Sequence, residues 1–267
     1  MNKSIAAAAV LAVALSGSTA LASADAATAH HHAAPHAAQH AKAGRYQVTA
    51  KASDTEPLQG TKVTIRGKVS PAAPGAPVTL QVKYQGEKTW KTIAHKLLRS
   101  NGKVTFQDKV TSVRERTYRV VKPTDARRKG GSGDTEKVVV YGWRNLSSLD
   151  RVSGSTMSSG NTVTMNGTEY PESLAGNASS PTSVSYNLNR DCKQLDAVYG
   201  VTDNSQSNGS ATLTVTADNV VKHNAPYALT QAQRVVTDVT GVFRLSIAGS
   251  PIGGIPAVGT PKVLCSF

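Results

Sequence analysis

The chain has 267 residues, 39% of them hydrophobic, a net charge of +13 and two cysteines. No apolar run reaches the roughly 20 residues that a membrane-spanning helix needs. With no C-x-x-C and no histidine beside either cysteine, cysteine-based metal or redox chemistry is excluded as well. The charge is confined to one stretch: residues 41–142 hold 21 Lys+Arg against 8 Asp+Glu, whereas residues 143–267 hold 8 against 8. The chain therefore divides into at least two parts with different surfaces.

At the N-terminus, Lys3, the apolar run Ile5–Leu15 and Ala22-Ser23-Ala24 have the order of a secretory leader. Cleavage is expected just before Asp25, which makes residues 1–24 a signal peptide and the protein secreted, extracellular or wall-associated. Residues 25–44 are an Ala/His-rich linker. His32, His36 and His40 recur every fourth residue, a helical metal-ligand spacing that Pro35 interrupts.

From Arg45 the sequence changes to short alternating runs. Strands are expected at "YQVTA", "TKVTIRGKV", "PVTLQVKYQ", "TWKTIAHKL", "KVTFQDKV", "RTYRVVK" and "EKVVVYG", with turns at the Gly/Pro-rich segments between them, "ARRKGGSGDT" included. Seven strands in about a hundred residues is the count of an immunoglobulin-like sandwich. Val63, Ile65, Val78, Leu80, Val82, Ile93, Val104, Phe106, Tyr118 and Val120 are assigned to its inner faces, with Trp90 beside them. "VTIRGKVSP", "PVTLQVKYQGEKTWKTI" and "RTYRVVKP" give residues 45–142 a resemblance to immunoglobulin-like modules of secreted Gram-positive proteins. That resemblance implies a spacer or adhesion surface.

The densest cation clusters here are Arg114, Arg116 and Arg119, and the run Arg127-Arg128-Lys129, and from them Arg114, Arg116, Arg127, Arg128 and Lys129 are singled out. They are the candidate polyanion-binding residues, and an excess of this size attracts acidic polymers. Nucleic acid is not expected as the partner, because Tyr84, Trp90 and Tyr118 are assigned to packing rather than base stacking.

The second half opens at Trp143. Strands are expected at "NTVTM", "TSVSYNL", "LDAVYGV", "ATLTVTA", "QRVVTDV", "VFRLSIA" and "PKVLCSF". Alternation puts Val184, Tyr186 and Leu188 on one face, and likewise Leu213/Val215 and Phe243/Leu245/Ile247. This is a second antiparallel sandwich of jelly-roll type, so the whole is all-β. An even cysteine count in an exported chain points to a disulfide between Cys192 and Cys265.

No G-x-S-x-G, H-E-x-x-H or P-loop is present, and carboxylates such as Asp150, Glu169, Glu172, Asp196, Asp203 and Asp218, spread as ordinary surface, leave a glycosidase pair as the least favoured alternative. The expectation is a protein without catalysis and without a cofactor. Between Asn166 and Leu188, "NGTEYPESLAGNASSPTSVSYNL" reads as a loop feeding a strand. With the Asp203-Asn204 turn it supplies the candidate ligand residues Tyr170, Asn177, Asp203 and Asn204. Such side chains suit hydroxyl recognition or calcium ligation, and they equally suit turns.

Residues 143–267 resemble the carbohydrate-binding module found beside family 98 glycoside hydrolases, the NPCBM type. The residues that carry the likeness are Leu146-Ser-Ser-Leu149-Asp150, Val163–Tyr170, Ser183–Leu188, Tyr199–Asp203, Gly209–Asn219 and "VTDVTGVFRLSIAG". The resemblance implies a β-sandwich that binds glycans. Two segments depart from the pattern: Asn177 stands where the family has a histidine, and "GSPIGGIPAVGT" replaces an acidic, aromatic segment. The expected partner is an extracellular glycan or anionic cell-wall polymer. The alternative is an adhesive surface protein whose NPCBM-like domain has lost sugar binding and makes protein contacts.

Overall fold

The computed structural model describes residues 44–152 and 154–267; the leader and the His-rich linker lie outside them. The strands are β1 (Gln47–Ala52), β2 (Lys62–Ser70), β3 (Pro77–Tyr84), β4 (Lys91–Leu97), β5 (Lys103–Lys109), β6 (Arg116–Lys122), β7 (Gly131–Asp134), β8 (Gly142–Asn145), β9 (Ser158–Met165), β10 (Thr168–Ala175), β11 (Thr182–Asn187), β12 (Cys192–Val201), β13 (Ser210–Ala217), β14 (Val220–Ala228), β15 (Ala232–Asp238), β16 (Arg244–Ile252) and β17 (Pro256–Cys265). The only helix among the described residues is a single 3-10 turn, Leu146–Ser148. The protein is all-β, and no described helix is long and apolar enough to cross a membrane.

β1–β7 make two sheets, in the orders β1-β2-β5 and β4-β3-β6-β7, and every strand pair in them is antiparallel. Period-two alternation explains the core between them. Val63 and Ile65, then Val78, Leu80 and Val82, then Val104 and Phe106, then Tyr118 and Val120 all point inward and are buried. β6 carries the same phase to both ends, so Arg116 and Lys122 also point inward and are only 2% exposed. Each reaches a rim of the sandwich and meets polar partners there. Arg116 donates from Nη2 to the Ser112 carbonyl at 2.6 Å and lies 3.8 Å from the Asp108 carboxylate, while Lys122 pairs with Asp125 at 2.9 Å.

Three expectations for this region are corrected. Ile93 is exposed, because a register shift between Leu80 and Gln81 inserts it as an extra residue in β4. Trp90 lies on the outer face, where Lys83 and Arg119 sit over its ring at 4.9 and 4.1 Å. The seventh strand is built from the Gly-rich segment rather than from "EKVVVYG", which makes isolated bridges at Val138 and Tyr141 and gives only its last residue, Gly142, to β8. A Cβ on Gly131 would stand 2.1 Å from the Tyr46 oxygen, and one on Gly133 would stand 2.2 Å from the Val48 oxygen. The glycines let β7 lie against the β1 backbone, a use that composition alone reads as a turn.

β8–β17 form two more sheets, β15-β12-β17-β10-β9 and β11-β16-β13-β14. β17 is the hub of the first. β12 runs along one edge, while β10 at Leu174–Ala175 and β8 at Gly142–Asn145 share the other. The core between these sheets holds Leu146, Leu174, Val184, Tyr186, Leu188, Tyr199, Leu213, Val215, Leu245, Ile247 and Val258. Cys192 and Cys265 face each other across β12 and β17 and are disulfide-bonded. Phe243 departs from its expected phase: β16 begins at Arg244, and the ring is 42% exposed. Between the basic and the neutral sandwich, Lys193 pairs with Glu56 at 2.6 Å and lies over the Tyr141 ring.

Candidate functional site

The segment read as a ligand loop is mostly structural. Asn166 and Gly167 form the two-residue turn between β9 and β10, both with positive φ, as a tight hairpin requires. Their two backbone N–H groups donate to the two oxygens of the Asp203 carboxylate, at 2.7 and 2.8 Å. Asp203 thus pins one turn to another. Asn177 accepts through Oδ1 from the Ser179 and Ser180 backbone N–H groups at 2.9 and 2.8 Å, closing its own turn.

Tyr170 is half-buried. It packs with Val163, Met165 and Ala257 in a small satellite core, pressed so close to Gly259 that a Cβ there would meet its ring at 2.7 Å. Asn204 is exposed on the Asp203 turn. The chain from Thr168 to Ala175 is a strand, not a loop. It is bulged around Pro171 and Glu172, with Glu172 at φ 55° accepting from the Ser147 hydroxyl.

Next to that end, "PIGGIP" closes as a clasp between connections. Gln206 N–H donates to the Gly253 carbonyl, Gly254 N–H to the Ser210 carbonyl, and Ile255 N–H to Ser205 Oγ at 2.9 Å. A Cβ on Gly254 would stand 2.7 Å from the Ser210 backbone, so only glycine permits this approach. What projects from the clasp is Ile252, 74% exposed.

A more sugar-like constellation lies around the β13–β14 turn and the start of β16, and the sequence reading missed it. Phe243 lines a shallow groove with Thr216, Asp218, Asn219, Arg244 and Ser246. A neighbouring groove is lined by Asp150, Arg151, Asn187, Asn189 and Phe267. Arg244 Nε donates to Asn187 Oδ1 at 3.1 Å and so ties the two together. Asp218 holds the exposed ring in place by accepting from the Phe243 and Arg244 backbone N–H groups at 2.9 and 2.8 Å. Those two bonds also hold its carboxyl below the ordinary carboxylate range. An apolar ring flanked by amides, hydroxyls and a guanidinium has the chemistry to take a pyranose, which presents C–H surface and hydroxyls together. The available signal is the "DN" turn pairing with "FR", whereas alternation assigns Phe243 to the core.

The candidate polyanion residues do not form one site. Arg116 is buried and occupied by Ser112 and Asp108, so it is not available to a polymer. Arg114 is 47% exposed, pairs with Glu87 at 3.3 Å and lies over the Tyr84 ring. Arg127 and Arg128 belong to a turn whose backbone N–H groups both donate to Asp125 Oδ1. The Lys122 ammonium and the Tyr46 hydroxyl hold that carboxyl well below the usual range. β6 separates the two clusters by about 20 Å, at roughly 3.3 Å per residue. No group of three or more His, Cys, Asp or Glu side chains with metal-site geometry occurs among the described residues.

No curated protein matches the chain. Among solved structures, it is similar to a CBM51 from a Clostridium perfringens GH95 protein, solved in complex with methyl-galactose. The identity is 19% and the TM-score 0.40, covering 45% of this chain and 99% of that one. The family model described as NPCBM/NEW2 domain matches residues 135–254, which run from the end of the basic sandwich through β16. Over these residues the second sandwich is similar to the NPCBM/NEW2 domain family.

Proposed function

We propose that the protein is a secreted, non-catalytic glycan-binding protein. The NPCBM/NEW2 sandwich contacts the sugar and the basic sandwich retains the chain on anionic polymer. The match of residues 135–254 to a carbohydrate-binding-module family carries this reading. It is supported locally by the groove in which Phe243 stands exposed beside Asn219, Arg244 and Asn187. Because Asp203 and Asn177 are spent on turns, the contact is assigned to the Phe243 groove. Calcium enters as a condition of the assay.

The test is a glycan array probed with the full chain and with Phe243→Ala, with and without calcium, at two salt concentrations. Salt-resistant binding to one sugar class, lost in Phe243→Ala, is the expected outcome. Binding that is indifferent to Phe243 rejects the groove, and no sugar binding at all rejects the reading. A second reading, an adhesive domain that contacts protein, is favoured by Ile252 projecting from a clasp where an aromatic platform would stand. On that reading the array is blank and Ile252→Ser abolishes partner capture.

A further inference from the structure

The outer face of the sheet β1-β2-β5 carries six cations: Lys51, Lys62, Arg66, Lys68, Lys103 and Lys109. All six are exposed, and none makes an ion pair among the described residues. The register sets them against one another. Lys62 lies opposite Lys109, Lys68 opposite Lys103, and Lys51 opposite Arg66. Directly opposed like charges destabilise a strand pair.

The remaining outward positions on these strands are Gln47, Thr49, Thr64, Ser70, Thr105 and Gln107, so the face has no acid and no aromatic side chain. Two of the nearby acids are engaged elsewhere, while Asp54 and Glu136 line a groove with Lys51 at the end of β1. Asp108 accepts from the Tyr118 hydroxyl at 2.7 Å, and Glu56 pairs with Lys193.

We infer that this face is a docking surface for an acidic polysaccharide. The Cα atoms of directly opposed cations sit about 5 Å apart, and those of successive outward positions along a strand about 7 Å apart. The lattice can therefore neutralise charges repeated along an extended chain, and a bound polyanion relieves the like-charge pairs. Interleaved hydroxyls and amides hydrogen-bond sugar hydroxyls between the charges. A single-stranded nucleic acid would call for aromatic platforms, which this face lacks. The assignment rests on the retention role proposed for the basic sandwich, and it moves that role from the loop clusters to the sheet.

The test compares the full chain with a face variant, Lys62→Gln, Arg66→Gln, Lys68→Gln and Lys103→Gln. A control variant removes as many charges elsewhere: Lys88→Gln, Lys91→Gln, Lys222→Gln and Lys262→Gln. Probes are polygalacturonate and polyphosphate, for the two sources of charge, with neutral dextran and poly(dT). The face variant is expected to lose about tenfold or more in affinity for the acidic probes at low salt, and the control no more than about threefold. The face variant should also unfold no earlier than the parent, since it relieves repulsion.

Equal losses in the two variants overturn the face in favour of net charge. Tighter binding to poly(dT) than to polygalacturonate overturns the polysaccharide. No binding of the parent to either acidic probe overturns the retention role itself. Neutral-sugar binding on the array, through Phe243, is read independently of all three.

Discussion

Glycine spacing in β7 permits a quantitative test of how the basic sandwich closes. In Gly133→Ala the new Cβ would stand 2.2 Å from the Val48 oxygen, 2.6 Å from its carbon and 2.8 Å from Thr49 Cα. Ordinary contact begins at 3.4 Å, so β7 must retreat from β1 by about 1.2 Å. A gap of that order forfeits roughly half of the dispersion between the two backbones. Because main-chain atoms must move, the cost lies near the top of the overpacking range, about 3 kcal/mol. Restricting the unfolded chain offsets about 0.4–1 kcal/mol of this and leaves a net loss near 2.

Gly131→Ala meets the Tyr46 oxygen at 2.1 Å and needs nearly the same retreat. The double variant should therefore cost little more than either single one, a coupling of about 1–2 kcal/mol. Gly86→Ala is the control. It has φ +80° and open space around it, so it meets only the left-handed penalty and should add fully to Gly133→Ala. Urea denaturation followed by circular dichroism reads all of these variants. Full additivity of the two β7 substitutions would refute the shared displacement.

Replacing Cys192 and Cys265 by alanine opens a loop closed over a separation of 73 residues. In the chain-entropy treatment this costs about 4 kcal/mol, seen as a lower urea midpoint that reducing agent reproduces in the parent and leaves unmoved in the variant. Asp203→Ala frees the two N–H groups of the β9–β10 turn. It should cost about 1–2 kcal/mol of stability while leaving the Phe243 groove and its sugar affinity intact, measured by denaturation and by titration. Burial pushes Tyr186 up to about 12, and it raises Tyr199 and Tyr118 too, with the Asp108 hydrogen bond adding to the last. Raised groups lend stability below their unfolded pKa near 10 and lose it as pH climbs through the folded one, so the urea midpoint should fall between about pH 10 and 12 and hold below 10.

The sequence was most legible where one face of a strand is buried and the other is wet. Val184, Tyr186 and Leu188 alternate cleanly because β11 is solvated on one side only, and the same holds for Leu213 and Val215. The Cys192–Cys265 pairing was legible because nothing competed for either thiol. Two strands with an internal proline, β10 and β14, went unseen. β10 contains Pro171 at its bulge, and β14 is an edge strand with Pro226, where a missing N–H costs the sheet little.

Arg116 was misplaced although its position was readable. The phase that buries Tyr118 and Val120 also buries the residues two before and two after them. Composition said "basic surface" where periodicity said "inside". Asp203 could not be read at all, because its partners lie 36 and 37 residues away in another hairpin. Turn-forming and ligand-binding carboxylates look the same in sequence.

Opposed cations on β1, β2 and β5 carry a cost that bears on why the two halves differ. Three like-charge cross-strand pairs, at about 0.2–1 kcal/mol each, remove on the order of 1–2 kcal/mol from a sandwich that has no disulfide. Moving one member of each pair to a loop would keep the net charge and lose the penalty. Net charge alone therefore does not account for the arrangement, whereas the proposed acidic polysaccharide would, since it would convert repulsion within the sheet into attraction across an interface. The neutral sandwich is free of that constraint and is stapled instead. On the proposed reading the charged face governs capture and is screened by salt, while the Phe243 groove governs choice of sugar and is not. Raising ionic strength should then release the chain from acidic polymer well before it loosens a packed pyranose.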